Sequence, residues 1–135
     1  MNKSVLTDVK ALLRQLSGDD SQATKDLLKK LIANPAVEIW VVRDGLRIVG
    51  MGTLIMVPML SGVSADIEDV VVDDRYRGRK LGEAIVKKLI ARGWARGGKT
   101  INLTSRPSRI AANALYQKLG FKQRKTNVYR LEPGN

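Results

Sequence analysis

A run of valines that leads through a basic turn into an amphipathic helix constrains the fold of this chain more than any other feature. Val70 to Val72 end a predicted strand, residues 63–72, whose continuous apolar run is expected when both faces of a strand are covered. Residues 80–95 repeat apolar side chains at helical spacing, so a buried strand is followed directly by a helix. A strand covered on both faces lies in a sheet that has helices on each side, which predicts an α/β domain.

The rest of the chain supplies the other elements of such a domain. Helical spacing predicts helices over residues 5–16, 21–33 and 109–119. Alternation bounded by turn signals predicts strands over residues 37–42, 46–57 and 100–104, and two short strands within 121–132. No internal repeat or linker interrupts this order. We therefore expect a single domain, residues 1–135, with a mixed central sheet flanked by helices.

The amino-acid composition excludes several kinds of chemistry. The 135 residues include no cysteine and no histidine, which excludes disulfides, thiolate or imidazole metal ligands, and Ser–His or Cys–His catalytic pairs. No carboxylate spacing suggests a metal site, so we expect none. No apolar run approaches the roughly 20 residues that span a bilayer, and the first residues lack the pattern of a signal peptide. We expect a cytoplasmic protein without membrane association.

The net charge of +11, from 24 Lys and Arg against 13 Asp and Glu, favours a polyanionic partner. Nucleic acid, anionic lipid and a phosphate-rich cofactor all fit this charge. Aromatic residues make up 4% of the chain, which argues against stacking on single strands, and no DNA-binding motif of known spacing is present. A basic nucleic-acid-binding module without catalysis stays as an alternative.

The turn between the valine run and the helix has the composition of an anion site. Two glycines are flanked there by four cations, in the order Arg75, Arg77, Gly78, Arg79, Lys80 and Gly82. Unpaired N–H groups and the positive end of the helix dipole lie at a helix start and suit a phosphate. The patterns of a Walker loop and of a dinucleotide-binding turn are both absent. A solvated strand–helix connection would have a similar composition, so the wider context decides.

Two segments together resemble the GNAT superfamily of N-acetyltransferases. Arg77-Gly-Arg-Lys-Leu-Gly82 resembles the family's Gln/Arg-x-x-Gly-x-Gly/Ala segment, whose amides hold the coenzyme A pyrophosphate. Lys80 replaces the first glycine, as in members similar to glucosamine-6-phosphate N-acetyltransferases, and we expect an ordinary negative φ there. Ala111 to Phe121 resembles the family's Asn-x-x-Ala-x-x-Leu/Phe-Tyr-x-x-x-Gly-Phe helix, with Tyr116 at the tyrosine position.

The resemblance implies the GNAT fold, here with a short or missing N-terminal strand. It also implies transfer of the acetyl group of acetyl-coenzyme A to a primary amine in a ternary complex, with Tyr116 as proton donor to the leaving thiolate. Glu68 is the general-base candidate, with Asp66 and Asp69 behind it. The residues expected at the cofactor are Val70, Val71, Val72, Arg77, Gly78, Arg79, Lys80, Leu81, Gly82, Glu83, Arg109, Asn113 and Tyr116.

Some assignments stay open at this point. The resemblance implies that Val71 or Val72 supplies an N–H group to the thioester carbonyl, and that Arg109 or Asn113 contacts the pantetheine arm. The acceptor is expected to be a small-molecule or peptide amine, and the Glu68-Asp69 strand suggests small amines such as amino sugars. A homodimer, and a GNAT domain that binds coenzyme A but has lost catalysis, also stay open.

Overall fold

The computed structural model describes residues 3–134, which divide into one compact unit that ends at Thr104 and another that begins at Ser105. In chain order the elements are α1 (Lys3–Ser17), α2 (Lys25–Ala33), β1 (Val37–Asp44), β2 (Arg47–Met59), β3 (Gly62–Val72), a 3-10 helix (Asp74–Tyr76), α3 (Leu81–Ala95), β4 (Ile101–Asn102) and α4 (Ile110–Lys118). None of the helices in residues 3–134 has the length and apolar character to cross a bilayer.

The strands of the first unit form one mixed sheet in the order β1-β2-β3-β4. The pairs β1–β2 and β2–β3 are antiparallel, and β3–β4 is parallel. Within residues 3–134 no strand precedes α1. The predicted mixed α/β architecture with a short or missing N-terminal strand is therefore confirmed, whereas the single domain over residues 1–135 stays a prediction.

Helix α1 covers one face of the sheet. Val9 and Leu12 of α1 form a buried cluster with Met51 of β2 and Val71 of β3. Apolar side chains recur along α1 at helical spacing, so one stripe of the helix faces this cluster. This packing explains why the helix predicted over residues 5–16 forms, since burial of the stripe stabilises it more than local propensity does.

Helix α3 covers the opposite face and approaches β2 closely. A Cβ atom added at Gly52 would lie 2.7 Å from Cγ2 of Ile85 and 2.8 Å from Cδ1 of Leu89. Gly52 is the direct neighbour of Met51, so the two residues point to opposite faces of the sheet. The absence of a side chain at Gly52 lets α3 lie against the sheet at this distance.

Helix α2 and the strand β4 are shorter than the sequence predicts. Helix α2 begins at Lys25 rather than at residue 21, because Thr24 caps it by accepting a 3.1 Å hydrogen bond from the N–H of Leu27. The strand predicted over residues 100–104 is limited to Ile101–Asn102.

The two strands predicted within residues 121–132 are wrong for the described chain. Residues 121–134 contain no strand, and Val128, Tyr129 and Leu131 are exposed by 79%, 86% and 89%. Alternating β-branched and aromatic residues favour an extended chain, but a strand also needs a neighbour that pairs with its N–H and C=O groups. Local pattern does not supply that neighbour.

A carboxylate on β1 ties this strand to α3. Glu38 accepts hydrogen bonds from Nε and Nη2 of Arg92 at 2.8 and 2.7 Å, from Nη1 of Arg96 at 3.1 Å and from Nε1 of Trp40 at 2.9 Å. The hydrogen bond with Arg92 is the largest cause that lowers the pKa of Glu38, from 4.5 to about 2. The pKa of Glu38 is lower in the folded state than in the unfolded state. The charged carboxylate therefore stabilises the fold at pH values above its ordinary pKa of 4.5. This contribution disappears as the pH falls towards 2.

We predict that Glu38→Gln lowers the free energy of unfolding at pH 7 by about 1 kcal/mol, since solvent partly screens the pairs that it breaks. The deficit should shrink at pH 3, because below pH 4.5 the unfolded wild type takes up a proton at Glu38 while the folded carboxylate stays charged down to about 2, and this lowers the stability of the wild type. Urea denaturation at both pH values measures the difference. Glu132→Gln is the control, because the exposed Glu132 carboxylate lies 4.0 Å from Arg130 and should contribute almost nothing. An equal deficit for Glu38→Gln at both pH values would contradict this account.

Candidate active site

A β-bulge in β3 is the first component of the site. Asp69 and Val70 together lie opposite the single residue Gly52 of β2. Asp69 adopts a φ of 53°, in the left-handed region, which costs a non-glycine residue about 1 kcal/mol or more. Bulges bend a strand and turn the following side chains to the other face of the sheet.

Beyond the bulge, β3 has an open side. Among the described residues, the ladder between β3 and β4 ends at the pair Asp66 and Asn102. The N–H of Asp73 donates to the carbonyl of Val49 in β2 at 2.8 Å. Since successive N–H groups of a strand point to opposite sides, the N–H of Val72 points away from β2, towards the side of β4. A donor in such a position suits a developing oxyanion.

The turn between β3 and α3 has the backbone of an anion site. Gly78 and Lys80 adopt φ values of 80° and 61°. The negative φ expected at Lys80 is wrong: the turn closes with a left-handed residue at the position where the family carries glycine, and the lysine bears the strain. Lys80 is the N-cap residue of α3, and its side chain makes no capping hydrogen bond. The positive end of the helix dipole lies at this turn.

The arginine side chains of the turn differ in whether a carboxylate pairs with them. Nη2 of Arg77 lies 2.7 Å from Oδ1 of Asp74, and Nε of Arg75 lies 3.3 Å from a carboxylate oxygen of Asp73. Arg79 forms no ion pair with any carboxylate in residues 3–134. Arg75 and Arg77 are thus partly neutralised within the turn, whereas Arg79 is not.

Three carboxylates lie along β3 before and within the bulge. The pKa of Glu68 is raised, first by partial desolvation and then by the negative charges of Asp69 and Asp66. Desolvation also raises the pKa of Asp69, although this side chain lies at the surface. A raised pKa makes a carboxylate a stronger base towards an ammonium group, which agrees with the role that the sequence suggests for Glu68.

The second unit carries the other predicted site residues. Tyr116 of α4 is 8% exposed, and its ring lies edge-on to Phe121 with centroids 5.9 Å apart. Burial raises the pKa of Tyr116 above 10.0, an effect that the charge of Arg109 opposes. The phenol therefore stays protonated at neutral pH. Nδ2 of Asn113 donates to the carbonyl of Arg106 at 3.0 Å, so part of this amide already has a partner.

Sequence reasoning missed the residues that hold the turn in place. Asp73 is 4% exposed and accepts a 2.9 Å hydrogen bond from the N–H of Arg75, while Arg47 lies 3.6 Å away. An acid directly after an apolar strand is the local signal that indicates such a capping role.

Two further anchors have no local signal. Gln15 of α1 accepts a 2.9 Å hydrogen bond from the N–H of Asp74, which is 59 residues away in sequence. The hydroxyl of Tyr76 donates to Oδ2 of Asp44 at 2.5 Å, across 32 residues. Partners so distant in sequence come together through the fold alone.

Comparison with known proteins identifies the family. The sequence model of the Acetyltransferase (GNAT) family matches residues 8–121. The curated glucosamine 6-phosphate N-acetyltransferase of Trypanosoma brucei brucei is 35% identical over 79 residues, which are 56% of this chain and 52% of that protein. This match spans about half the length of the curated relative.

Solved structures agree over nearly the whole chain. A structure from Agrobacterium tumefaciens str. C58 has a TM-score of 0.85 and 25% identity, and the match covers 98% of this chain and 96% of that one. The aminoglycoside N-acetyltransferase AAC(6')-Iy, solved in complex with CoA, has a TM-score of 0.79 and 16% identity, with 98% and 91% covered. At this identity the second likeness concerns the fold alone. Because the family match spans most of the sequence, the chain belongs to the GNAT family of acetyltransferases, as its two motifs predict.

Proposed function

We propose that this chain is an N-acetyltransferase that moves the acetyl group of acetyl-coenzyme A directly to a primary amine. The observation that carries the proposal is that a bulged strand leads through a short turn into a helix whose N-cap residue, Lys80, has a left-handed backbone and no capping side-chain hydrogen bond. The helix start offers amides and a positive dipole to a pyrophosphate, and the strand offers a backbone N–H to a carbonyl. The complex of AAC(6')-Iy with CoA, on the same fold, supports this cofactor.

The turn, residues 77–83, would hold the pyrophosphate. Backbone amides at the start of α3 bind its oxygens, and glycine at position 82 leaves them accessible. A Cβ at Gly82 would lie 3.8 Å from Cγ2 of Val72, an ordinary contact, so packing among the described residues does not itself require glycine. The smallness of Gly82 is therefore better explained by a ligand than by the core.

Residues along β3 would act on the reacting groups. When bound, the cofactor supplies the acetyl group as a thioester. The N–H of Val72, which points to the open side of β3, donates to the thioester carbonyl and stabilises the charge that develops on its oxygen. Glu68 accepts the proton that the amine loses, directly or through one water, and its raised pKa assists this transfer.

The second unit would supply the last proton. The Tyr116 hydroxyl donates to the thiolate as it leaves, which its raised pKa permits because the phenol stays protonated at neutral pH. Arg109 is our choice for the contact with the pantetheine arm, since the Asn113 side chain already donates to a backbone carbonyl.

The acceptor is proposed to be a small primary amine. Asp66, Glu68 and Asp69 give this part of β3 a negative potential that attracts a protonated amine. The relative from Trypanosoma brucei brucei is named for glucosamine 6-phosphate, an amino sugar, and this class is the first to screen.

The cofactor site is tested with Gly82→Glu and the matched variant Gly82→Ala. We predict that Gly82→Glu abolishes acetyl-coenzyme A binding, because a bulky negative side chain occupies the phosphate position, whereas Gly82→Ala weakens it much less. Isothermal titration calorimetry measures both affinities, and thermal melting confirms that the variants fold. Wild-type affinity in Gly82→Glu would move the site elsewhere, and a wild-type chain that binds no acetyl-coenzyme A would disprove the proposed function.

The proton donor is tested with Tyr116→Phe. We predict that kcat falls by about 10²–10⁴-fold while cofactor affinity stays unchanged, because the ring still fills its place and the hydroxyl alone is lost. An amine that gives turnover is first found in a screen scored by thiol release. Tyr129→Phe, at a tyrosine that is 86% exposed, is the control that should keep full activity. Full kcat in Tyr116→Phe would make Tyr116 a packing residue.

The general base is tested through the pH dependence of kcat/KM. Glu68 acts as the carboxylate, so activity should fall at acidic pH as Glu68 is protonated, at a higher pH than an ordinary glutamate would give. Asp66→Asn removes one negative charge that raises the pKa of Glu68. The fall in kcat/KM at acidic pH, the acidic limb of the pH profile, should therefore move to lower pH while activity is retained. Glu68→Gln should lose both the limb and most of kcat. An acidic limb that survives in Glu68→Gln would assign the base elsewhere.

A further inference from the structure

The guanidinium group of Arg79 is placed over an aromatic ring of its own turn. Its Cζ lies 5.0 Å from the centroid of Tyr76, within the distance of about 6 Å at which a cation is attracted to the face of a ring. Tyr76 ends the 3-10 helix and Arg79 directly precedes Lys80, the N-cap of α3. This contact therefore holds the Arg79 guanidinium in the turn directly before the start of α3.

The ring of Tyr76 is itself anchored to another part of the sheet. Its hydroxyl donates to Oδ2 of Asp44 at 2.5 Å, and Asp44 is the last residue of β1, at the hairpin that leads into β2. Arg47, the partner of Asp44 in this hairpin, lies 3.6 Å from the buried carboxylate of Asp73. The hairpin thus contacts the turn at two points, and one of them is the hydroxyl of the Tyr76 ring.

An arginine that contacts an aromatic ring keeps more of its positive charge for a ligand than an arginine that pairs with a carboxylate. Asp74 pairs with Arg77, and this carboxylate offsets part of the charge that Arg77 offers to a phosphate. An aromatic face attracts a guanidinium through its quadrupole and carries no net charge. Arg79 is therefore oriented without being neutralised, and its N–H groups keep their capacity for charge-assisted hydrogen bonds.

We propose that Tyr76, anchored by Asp44, is a positioning residue that holds Arg79 where its guanidinium binds a phosphate of the cofactor. The inference rests on the proposed function, because it places that phosphate at the start of α3. A long, flexible side chain loses rotamer freedom when it binds a ligand, and a side chain that is already held loses less. The ring contributes to affinity through Arg79 and not through a contact of its own.

A double-mutant cycle on acetyl-coenzyme A affinity tests this dependence. We expect Arg79→Gln to weaken binding by about tenfold, since it removes a charge-assisted contact. Tyr76→Leu should weaken binding by about three- to fivefold, the range of a cation–π contact at an exposed site. The double variant should bind no more weakly than Arg79→Gln alone, because Tyr76 has no effect once its guanidinium partner is gone. Calorimetry at low and high salt should also show a weaker salt dependence in Arg79→Gln than in wild type.

Kinetics and a milder variant separate positioning from a structural role. Tyr76→Leu should raise the KM for acetyl-coenzyme A and leave kcat at saturating cofactor unchanged, which general destabilisation would not do. Tyr76→Phe keeps the ring and loses the bond to Asp44, so its loss of affinity should be smaller than that of Tyr76→Leu. If the melting temperature of Tyr76→Leu is well below that of wild type, Tyr76→Phe takes its place in the double-mutant cycle. Tyr129→Leu, at an exposed tyrosine of the other unit, should bind like wild type.

The outcomes distinguish this inference from the proposed function. If wild type binds acetyl-coenzyme A but Tyr76→Leu binds within twofold of it, or if the losses of the single variants multiply in the double variant, Tyr76 does not act through Arg79. If wild type itself binds no acetyl-coenzyme A, the proposed function fails and this inference fails with it. Non-additive losses with an unchanged kcat support the positioning role.

Discussion

The extra residue in β3 is the constraint on which the rest of the site depends. Ala65 faces α3, since its Cβ lies 3.2 Å from the position that a Cβ at Gly93 of α3 would occupy. Val71 lies on the opposite face of the sheet, where it packs in the cluster with α1. Residues six apart in a regular strand share a face, so the bulge at Asp69 reverses the alternation between them. It thereby turns Val71 into the core under α1 and sets the N–H of Val72 on the open side of β3. Without the bulge, the N–H of Val72 would not face the open side of β3, where the proposed function needs it.

Backbone strain coincides with this arrangement. Among residues 3–134, the non-glycine residues with a positive φ are Asp69 in the bulge and Lys80 at the start of α3. Each costs about 1–2 kcal/mol, and such conformations persist where surrounding contacts determine them. The buried Asp73 and the hydrogen bond from Asp74 to Gln15 provide those contacts on the segment that joins the two strained positions. The fold thus bears a cost where the cofactor is proposed to bind, and the core elsewhere compensates for it.

The sequence predicted what local patterns determine, and it missed what depends on distant partners. Helical periodicity located α1, α3 and α4, and the valine run with its basic turn located the connection between β3 and α3, because burial of an apolar face follows directly from spacing. The φ of Lys80 was missed because the preference of a lysine opposes the geometry that the turn requires. The strands expected within 121–132 failed because propensity does not provide a pairing partner. The contact between Tyr76 and Asp44 joins elements that only the folded sheet brings together.

The distribution of charge explains more about function than its total does. A net charge of +11 fits nucleic acid as well as a cofactor, but the cations at the turn and the carboxylates of β3 occupy different ends of one short segment. A surface that binds a nucleic acid backbone gains from uniform positive potential, and Asp66, Glu68 and Asp69 would oppose that binding. A transferase needs both signs, because one substrate carries phosphates and the other is an amine that arrives protonated. The separation of cations from carboxylates with raised pKa values therefore favours acetyl transfer over the alternative of a nucleic-acid-binding module.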